Sequence, residues 1–377
     1  MRFLLLLLCI TVAGSSYSQK VADTISSKKL DEDRVVFMSL PQSYKANSNK
    51  KYPLLILLDG DYLFDAFQGA LNYGSYWEDI PEMIVVGIAM EKSREFDCAV
   101  DDEKGLPKEK GEKFFEFIGE LVAAVEKQYP VAPFKIIAGH DVTAGFMNFY
   151  LYKEQPLFDA YISLSPEFPN NMEENLAKRL AEITAPIYYY HCTADGDVKK
   201  MQNRIKALDD VIKKNLRGTL NYKFDEFKGT SHYALVLHAI PSALYHFFAT
   251  YQPISITEFN EKIAPLPAGY VDYLLAKYET IEKMLGTKLT IRVSDFKAIE
   301  AAILKNKAYA EFEQLADLAK KQYPKAMLSD YHRGLMYEKT GDYIKAAKAY
   351  QSAFQKEAVG DLTKEMMLEK ADEMKKM

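Results

Sequence analysis

The sequence has little cysteine and no cluster of basic residues. It contains three cysteines in 377 residues, and two of them, Cys98 and Cys192, lie beyond the N-terminal apolar stretch. No spacing rule supports pairing these two, so we expect unpaired thiols rather than a disulfide. The net charge is −5. Because phosphate binding needs grouped Lys and Arg, nucleic acid is excluded as the main partner.

Long apolar runs are also scarce. The longest lies at residues 3–13, and it is too short to cross a bilayer as a helix. Arg2 precedes this run and small polar residues follow it, which predicts a secretory signal peptide over residues 1–18. We therefore expect an exported protein that is periplasmic or secreted after cleavage and does not span a membrane.

Residues 19–253 alternate short Val/Ile/Leu-rich runs with amphipathic segments, which predicts one α/β domain. Strands are predicted at residues 34–38, 53–58, 83–88, 134–138, 160–164, 187–191 and 220–227, and helices at 112–128, 143–152, 199–214 and 234–249. Strands separated by helices indicate a mostly parallel sheet with helices on both faces. In such sheets ligands bind beyond the carboxyl ends of the strands, so the loops there should hold the functional site.

From residue 254 to residue 377 the pattern is almost entirely helical, which predicts a separate all-α domain. An offset of 34 residues aligns residues 305–319 with residues 339–353, and small residues recur at Gly334, Ala346 and Ala353. This pattern is similar to a tetratricopeptide repeat, whose paired helices stack and commonly bind peptide segments. A protein or peptide partner and a purely stabilising appendage are both compatible with these residues.

Polar residues follow three of the predicted strands in the order that is typical of α/β-hydrolases. The segment GHDVT, residues 139–143, has the shape of a nucleophile elbow, which would aim the backbone N–H of Val142 at an oxyanion. Farther along the chain, Asp195 and Asp197 lie where an acid would orient a histidine, and His232 lies where the base is expected. The sequence does not decide which aspartate faces His232.

In this order the motifs resemble the Putative esterase family of α/β-hydrolases, which includes ferric enterochelin esterase and esterase D. The matching segments are YPLLILLDGD at residues 52–61, FKIIAGH at 134–140, Ser165-Pro166 and GTSHY at 229–233. Because the helical tail also resembles tails of some exported members, the resemblance covers nearly the whole mature chain. It implies an α/β-hydrolase fold and a second oxyanion donor from the backbone near Gly60 and Asp61, although these residues are equally compatible with a plain tight turn.

The sequence departs from the family pattern at the residues that would carry out catalysis. Family members read Gly-His-Ser-x-Gly-Gly at the elbow, whereas Asp141, Thr143 and Ala144 stand at the Ser position and the two following Gly positions. Glu167 stands where the family often has a small residue that precedes pocket-lining tryptophans. Arg94 follows the strand at 83–88, and it is either a solvated side chain or a contact for an anionic group of a substrate.

Three roles for Asp141 are compatible with the sequence. At the start of a helix, its carboxylate can cap backbone N–H groups and pair with a cationic His232 in a site that has lost its attacking group. It can instead attack as a nucleophile and form an ester that water hydrolyses, although the single tryptophan, Trp77, lies in another loop and marks no halide or epoxide pocket. It can also act as a base in residual ester hydrolysis.

The favoured hypothesis is a pseudoenzyme: an exported hydrolase-fold protein that binds a ligand or acts as a scaffold, with a tail that engages a protein partner. The alternatives are an active carboxylic ester hydrolase, or one with an Asp nucleophile, and a structural subunit of an envelope assembly. Whether the chain is an enzyme stays open. We expect no cofactor and no metal, because His191 and Cys192 point to opposite faces of one strand and no second ligand pair is visible.

Overall fold

The structure is a computed structural model that describes residues 20–45, 49–101, 103–215 and 218–377. The predicted signal peptide, residues 1–18, lies outside the described residues. Among the helices of the described part of the chain, none combines the length and the apolar character that crossing a membrane requires.

The described residues form one eight-stranded sheet. Its strands are Val21–Ser27 (β1), Glu32–Ser39 (β2), Tyr52–Leu57 (β3), Ile84–Ile88 (β4), Val131–His140 (β5), Ala160–Leu164 (β6), Ile187–Gly196 (β7) and Leu220–Ser231 (β8). They lie in the order β1-β2-β4-β3-β5-β6-β7-β8, with β2 antiparallel to both of its neighbours and every other pair parallel. All side chains of β3, β4 and β6 are buried, as expected for strands covered on both faces. The prediction of a mostly parallel α/β sheet is confirmed.

Helices connect the strands. They are Gly60–Tyr76 (α1), Arg94–Asp97 (α2), Glu109–Gln128 (α3), Val142–Phe146 (α4), Met172–Glu182 (α5), Lys199–Lys214 (α6) and Leu235–Phe247 (α7). The helix predicted over residues 143–152 is α-helical only as far as Phe146 and continues as the 3₁₀ helix Met147–Tyr152. The sequence analysis missed α1, whose glycines at positions 69 and 74 weaken the helical signal. It also missed β1, an edge strand whose mostly exposed side chains carry no burial pattern.

Cys98 and Cys192 are both buried and unpaired. Burial raises the pKa of both thiols far above its ordinary value, so the reactive thiolate is not formed at neutral pH. The expectation of idle thiols rather than a disulfide is confirmed.

The C-terminal region is all-helical, as predicted. It contains Ile256–Glu258 (α8), a π-helical turn at Phe259–Ile263, Tyr270–Leu285 (α9), Val293–Asn306 (α10), Glu311–Gln322 (α11), Leu328–Thr340 (α12), Tyr343–Phe354 (α13) and Lys364–Lys376 (α14). From α10 onward each helix packs against the next. A Cβ atom at Gly334 of α12 would lie 2.4 Å from the ring of Tyr350 in α13, so this close packing needs glycine there. The assignment of these helices as tetratricopeptide repeats stays a prediction.

The described chain divides into two compact units. One comprises residues up to 69 together with 82–131 and 135–239, and the other comprises 70–81, 132–134 and 240–377. The boundary between residues 253 and 254 was drawn where the sequence pattern changes, and it stays a prediction.

Candidate active site

The turn between β5 and α4 holds Asp141 in a sharp elbow. Asp141 has φ 62° and ψ −121°, a conformation that residues other than glycine rarely adopt. Its N–H donates to the carbonyl of Leu164 (3.0 Å), and its carbonyl accepts from the N–H groups of Gly145 (3.1 Å) and Glu167 (3.0 Å). These three backbone bonds hold the strained turn independently of the side chain at position 141.

Arg94 ties the elbow to a buried carboxylate, that of Asp59. Its Nε donates to Oδ1 of Asp59 at 2.8 Å, one terminal nitrogen lies 3.3 Å from Oδ2 of Asp141, and the other donates to the carbonyl of His140 at 2.7 Å. The hydroxyl of Thr143 donates to Asp59 at 2.6 Å. Burial raises the pKa of Asp59, although Arg94 and Thr143 oppose this shift by favouring the charged form. Arg94 keeps 26% of its side chain exposed but is ion-paired rather than solvated, and it does not line the cleft described below, which argues against a contact with an anionic substrate.

Two expectations for Asp141 are also wrong. Its side chain makes no capping hydrogen bond to α4. A capping residue normally has extended backbone angles that bring its side chain over the first N–H groups of the helix, and the positive φ of the elbow prevents this. Its ion-pair partner among the described residues is Arg94, not His232.

His232 pairs with Asp197. The distance from Nδ1 of His232 to Oδ1 of Asp197 is 2.8 Å, and the other oxygen of Asp197 accepts from the Thr193 hydroxyl (2.5 Å) and the Ala194 N–H (2.8 Å). Burial alone would raise the pKa of Asp197, but these hydrogen bonds outweigh it and lower the pKa to about 2. Asp197 is thus a carboxylate that can only accept, so Nδ1 of His232 donates the hydrogen bond between them.

Asp195 does not face His232. Its half-exposed carboxylate accepts from the N–H of Gly229 at 2.9 Å and lies 3.5 Å from Nζ of Lys228. The pairing of β7 with β8 shifts register between Ala194 and Gly196, so the two aspartates of this loop are directed to different partners. The structure therefore selects Asp197 as the acid beside the histidine.

The predicted oxyanion segments lie at helix starts. Gly60 begins α1 and Val142 begins α4, where backbone N–H groups lack intrahelical partners. The carboxylate of Asp61 instead accepts from the N–H groups of Met90 (2.6 Å) and Glu91 (3.0 Å), so this side chain stabilises a loop and does not line the cleft. An oxyanion role for Gly60 and Val142 stays a prediction.

A cleft of about 390 Å³ opens beside the elbow. Its charged and polar lining comes from Asp141, Glu167, His232, Lys200 and Arg204, and the other lining side chains include Phe168, Val198, Met201 and Tyr233. Sequence reasoning missed Val198, Lys200 and Met201, which lie at the start of α6 directly after the loop of Asp197. The rule that ligands bind at the carboxyl ends of parallel strands pointed to this loop and could have found them.

A second histidine, His140, lies behind the elbow and stacks on His232 with ring centroids 4.5 Å apart. Its Nδ1 lies 3.0 Å from the hydroxyl of Tyr62, and its Nε2 lies 3.3 Å from the carbonyl of His232. Burial and the neighbouring His232 lower the pKa of His140 to about 4. His140 is therefore neutral at pH 7 and adds no positive charge to the cleft.

Comparisons with known proteins agree with this fold. Residues 27–172 match the model of the family described as Putative esterase, which confirms the resemblance identified from the motifs. No curated protein matches the sequence.

Solved structures resemble the chain over most of its length. An uncharacterised protein from Capnocytophaga ochracea is 28% identical with a TM-score of 0.84, and the match covers 95% of this chain and 100% of that one. An IroE-like serine hydrolase from Shewanella oneidensis is 18% identical with a TM-score of 0.59, covering 80% and 99%. The BES protein from Bacillus cereus is 21% identical with a TM-score of 0.53, covering 61% and 95%. The α/β-hydrolase fold with an all-helical C-terminal region is thereby confirmed.

Proposed function

We propose, on the premise that residues 27–172 match the Putative esterase family, that this chain is a catalytically degenerate member that binds a ligand in its cleft. The observation that carries the proposal is the Asp141 carboxylate, which occupies the elbow and is paired with Arg94. A serine esterase needs a hydroxyl there to attack the ester carbonyl. A fixed negative charge beside the N–H of Val142 also opposes the oxyanion that such an attack would form.

The wild-type protein should hydrolyse p-nitrophenyl acetate no faster than a His232→Ala variant does. Because the wild type has no attacking hydroxyl at the elbow, it carries out no acyl transfer that removal of the base could slow. In a working serine hydrolase the same change costs on the order of 10³-fold or more in rate. The measurement is the release of p-nitrophenolate by both proteins, with buffer alone as the blank. Turnover that is abolished by both Asp141→Ala and His232→Ala would contradict the proposal.

The rival function is a hydrolase in which the Asp141 carboxylate attacks the saturated carbon of a haloalkane or an epoxide, which expels halide or opens the ring, and His232 activates the water that cleaves the resulting ester. The intact His232–Asp197 pair, 2.8 Å apart, favours this alternative. In that case, a His232→Gln variant exposed to the substrate would accumulate an ester on Asp141, and mass spectrometry of the peptide containing residue 141 would detect it.

We further propose that the chain is exported after cleavage before Gln19 and that α10 to α14 bind a protein partner in the cell envelope. The proposal is supported by the signal-peptide pattern of residues 1–18 and by the sequential packing of these helices. Cells that express the full chain should yield a mature protein beginning near Gln19 outside the cytoplasm.

Cross-linking in that fraction should join α10 to α14 to one envelope protein. Retention of Met1 in the cytoplasm would contradict export, and cross-links at background level would favour a stabilising tail.

A further inference from the structure

The floor of the cleft carries an uncompensated negative charge. Asp59 and Asp141 share a single guanidinium, that of Arg94, so one of the two carboxylate charges has no counter-charge in this cluster. His140 lies behind them as a neutral ring. Arg204 lines the cleft, but its guanidinium is paired with Glu173 and also donates to the carbonyls of Phe168 and Pro169. Glu167 adds a second negative charge to the lining and Lys200 adds a positive one, so the lining keeps a net negative charge and favours a ligand of positive charge.

Three of the polar side chains that line the cleft, Asp141, Glu167 and His232, offer hydrogen-bond acceptors. Oδ1 of Asp141 receives no hydrogen bond from the described residues, because Arg94 contacts only Oδ2. Glu167 is placed beside Asp141 by a backbone hydrogen bond of 3.0 Å, and its side chain is exposed in the cleft. His232 also lines the cleft, and because its Nδ1 donates to Asp197, Nε2 is the ring nitrogen that accepts whenever the ring is neutral. A ligand with several N–H donors on one cationic centre matches these acceptors.

Part of the cleft wall is apolar. Val198 and Tyr233 are largely exposed, with 68% and 78% of their surface accessible, and Met201 and Phe168 extend the same wall. Lys200 lies exposed at the rim, where its long side chain can turn into solvent. A ligand with a cationic head and an apolar body would bury its body on this wall while its head reaches Asp141.

We infer that the cleft binds a primary ammonium group carried on an apolar chain. The ammonium would donate to Asp141, Glu167 and Nε2 of His232, and the chain would pack on Val198, Met201 and Tyr233. The inference rests on the proposed function in one respect, namely that the Asp141 carboxylate is not consumed as a nucleophile. The ligand class follows from the residue at position 141. A serine there would attack a carbonyl group, whereas the carboxylate of Asp141 attracts a cation.

The test is calorimetric titration of the full-length mature protein with n-hexylammonium, hexanoate and n-hexanol, which share one chain length and differ in head group. We expect n-hexylammonium to bind, hexanoate not to bind and n-hexanol to bind more weakly than the amine. Asp141→Asn and Glu167→Gln should each weaken n-hexylammonium binding about tenfold, as expected for the loss of one charge-assisted hydrogen bond. Glu182→Gln, which neutralises an exposed carboxylate of α5 outside the cleft, is the matched control and should leave the affinity unchanged.

Several outcomes would overturn the inference. These are hexanoate binding as tightly as the amine, no measurable heat with the amine, or an affinity for the amine that neither cleft variant changes. Because Asp141→Asn also alters the contact with Arg94, the Glu167→Gln variant tests the cleft without touching the elbow. Failure here leaves the proposed lack of esterase activity intact, because ester turnover is measured separately. Ester turnover by the wild type would contradict that proposal whether or not the amine binds.

Discussion

Asp141→Ser is expected to make the protein react covalently with a fluorophosphonate, whereas the wild type does not react. The elbow is held by backbone bonds to Leu164, Gly145 and Glu167, so it survives a change of side chain. The new hydroxyl would lie in the same cleft as His232, whose ring is oriented by Asp197. Because a positioned base alone contributes about 10²- to 10⁴-fold, we expect labelling at least about 100-fold faster than in an Asp141→Ser/His232→Ala variant, which has the hydroxyl without the base.

Intact-protein mass spectrometry would measure this reaction as the mass of a single adduct at residue 141. The double variant Asp141→Ser/His232→Ala is the matched control and should lose the adduct, because the hydroxyl then has no base. Loss of the carboxylate leaves Arg94 paired with Asp59, so the variant should stay folded. A folded Asp141→Ser variant that forms no adduct would show that the base or the oxyanion donors are not placed for catalysis.

Gly145→Ala is expected to be the most destabilising small substitution near the site. A Cβ atom at position 145 would lie 1.9 Å from the carbonyl oxygen of Glu167 and 2.9 Å from its carbonyl carbon. Both are backbone atoms, which cannot rotate away as a side chain does. The turn after β6 must therefore move, and we expect a loss of about 3 kcal/mol, at the upper end of the usual cost of overpacking. Urea unfolding followed by circular dichroism would measure the change.

Gly119→Ala in α3 makes the same chemical change without a clash, because no atom lies within 4 Å of the added Cβ. There the better helix propensity of alanine should raise the free energy of unfolding by roughly 0.5 to 1 kcal/mol. Opposite signs for the two variants are the expected result. A Gly145→Ala variant as stable as the wild type would show that the turn at Glu167 is not fixed against α4.

Apolar patterning predicted the sheet because burial on both faces leaves continuous Val/Ile/Leu runs, as in β3 and β4. It could not predict the contact between Arg94 and Asp141. These residues follow β4 and β5, which lie on either side of β3 and are not neighbours in the sheet. The order of strands depends on long-range pairing, and no local pattern in the sequence encodes it.

The sequence also could not show which of Asp195 and Asp197 contacts His232. Asp195 lies at the end of β7 and Asp197 follows the strand two residues later, so continued strand alternation would assign both to one face. The register shift after Ala194 breaks that alternation, and the hydroxyl of Thr193 then binds Asp197. By contrast, the position of His232 followed correctly from its place after the last strand.

The contacts of Asp59 have a consequence for how this elbow can evolve. Asp59 accepts from Arg94, Thr143 and Tyr62, and Thr143 stands where the family has glycine. A return to glycine at position 143 would remove a donor from a buried carboxylate, which is costly unless position 59 or 94 changes as well. Asp141 makes one contact with this network, the 3.3 Å ion pair with Arg94, so position 141 can change without a second substitution. A serine at position 141 is thus one substitution away, whereas a glycine at position 143 requires a compensating change at position 59 or 94.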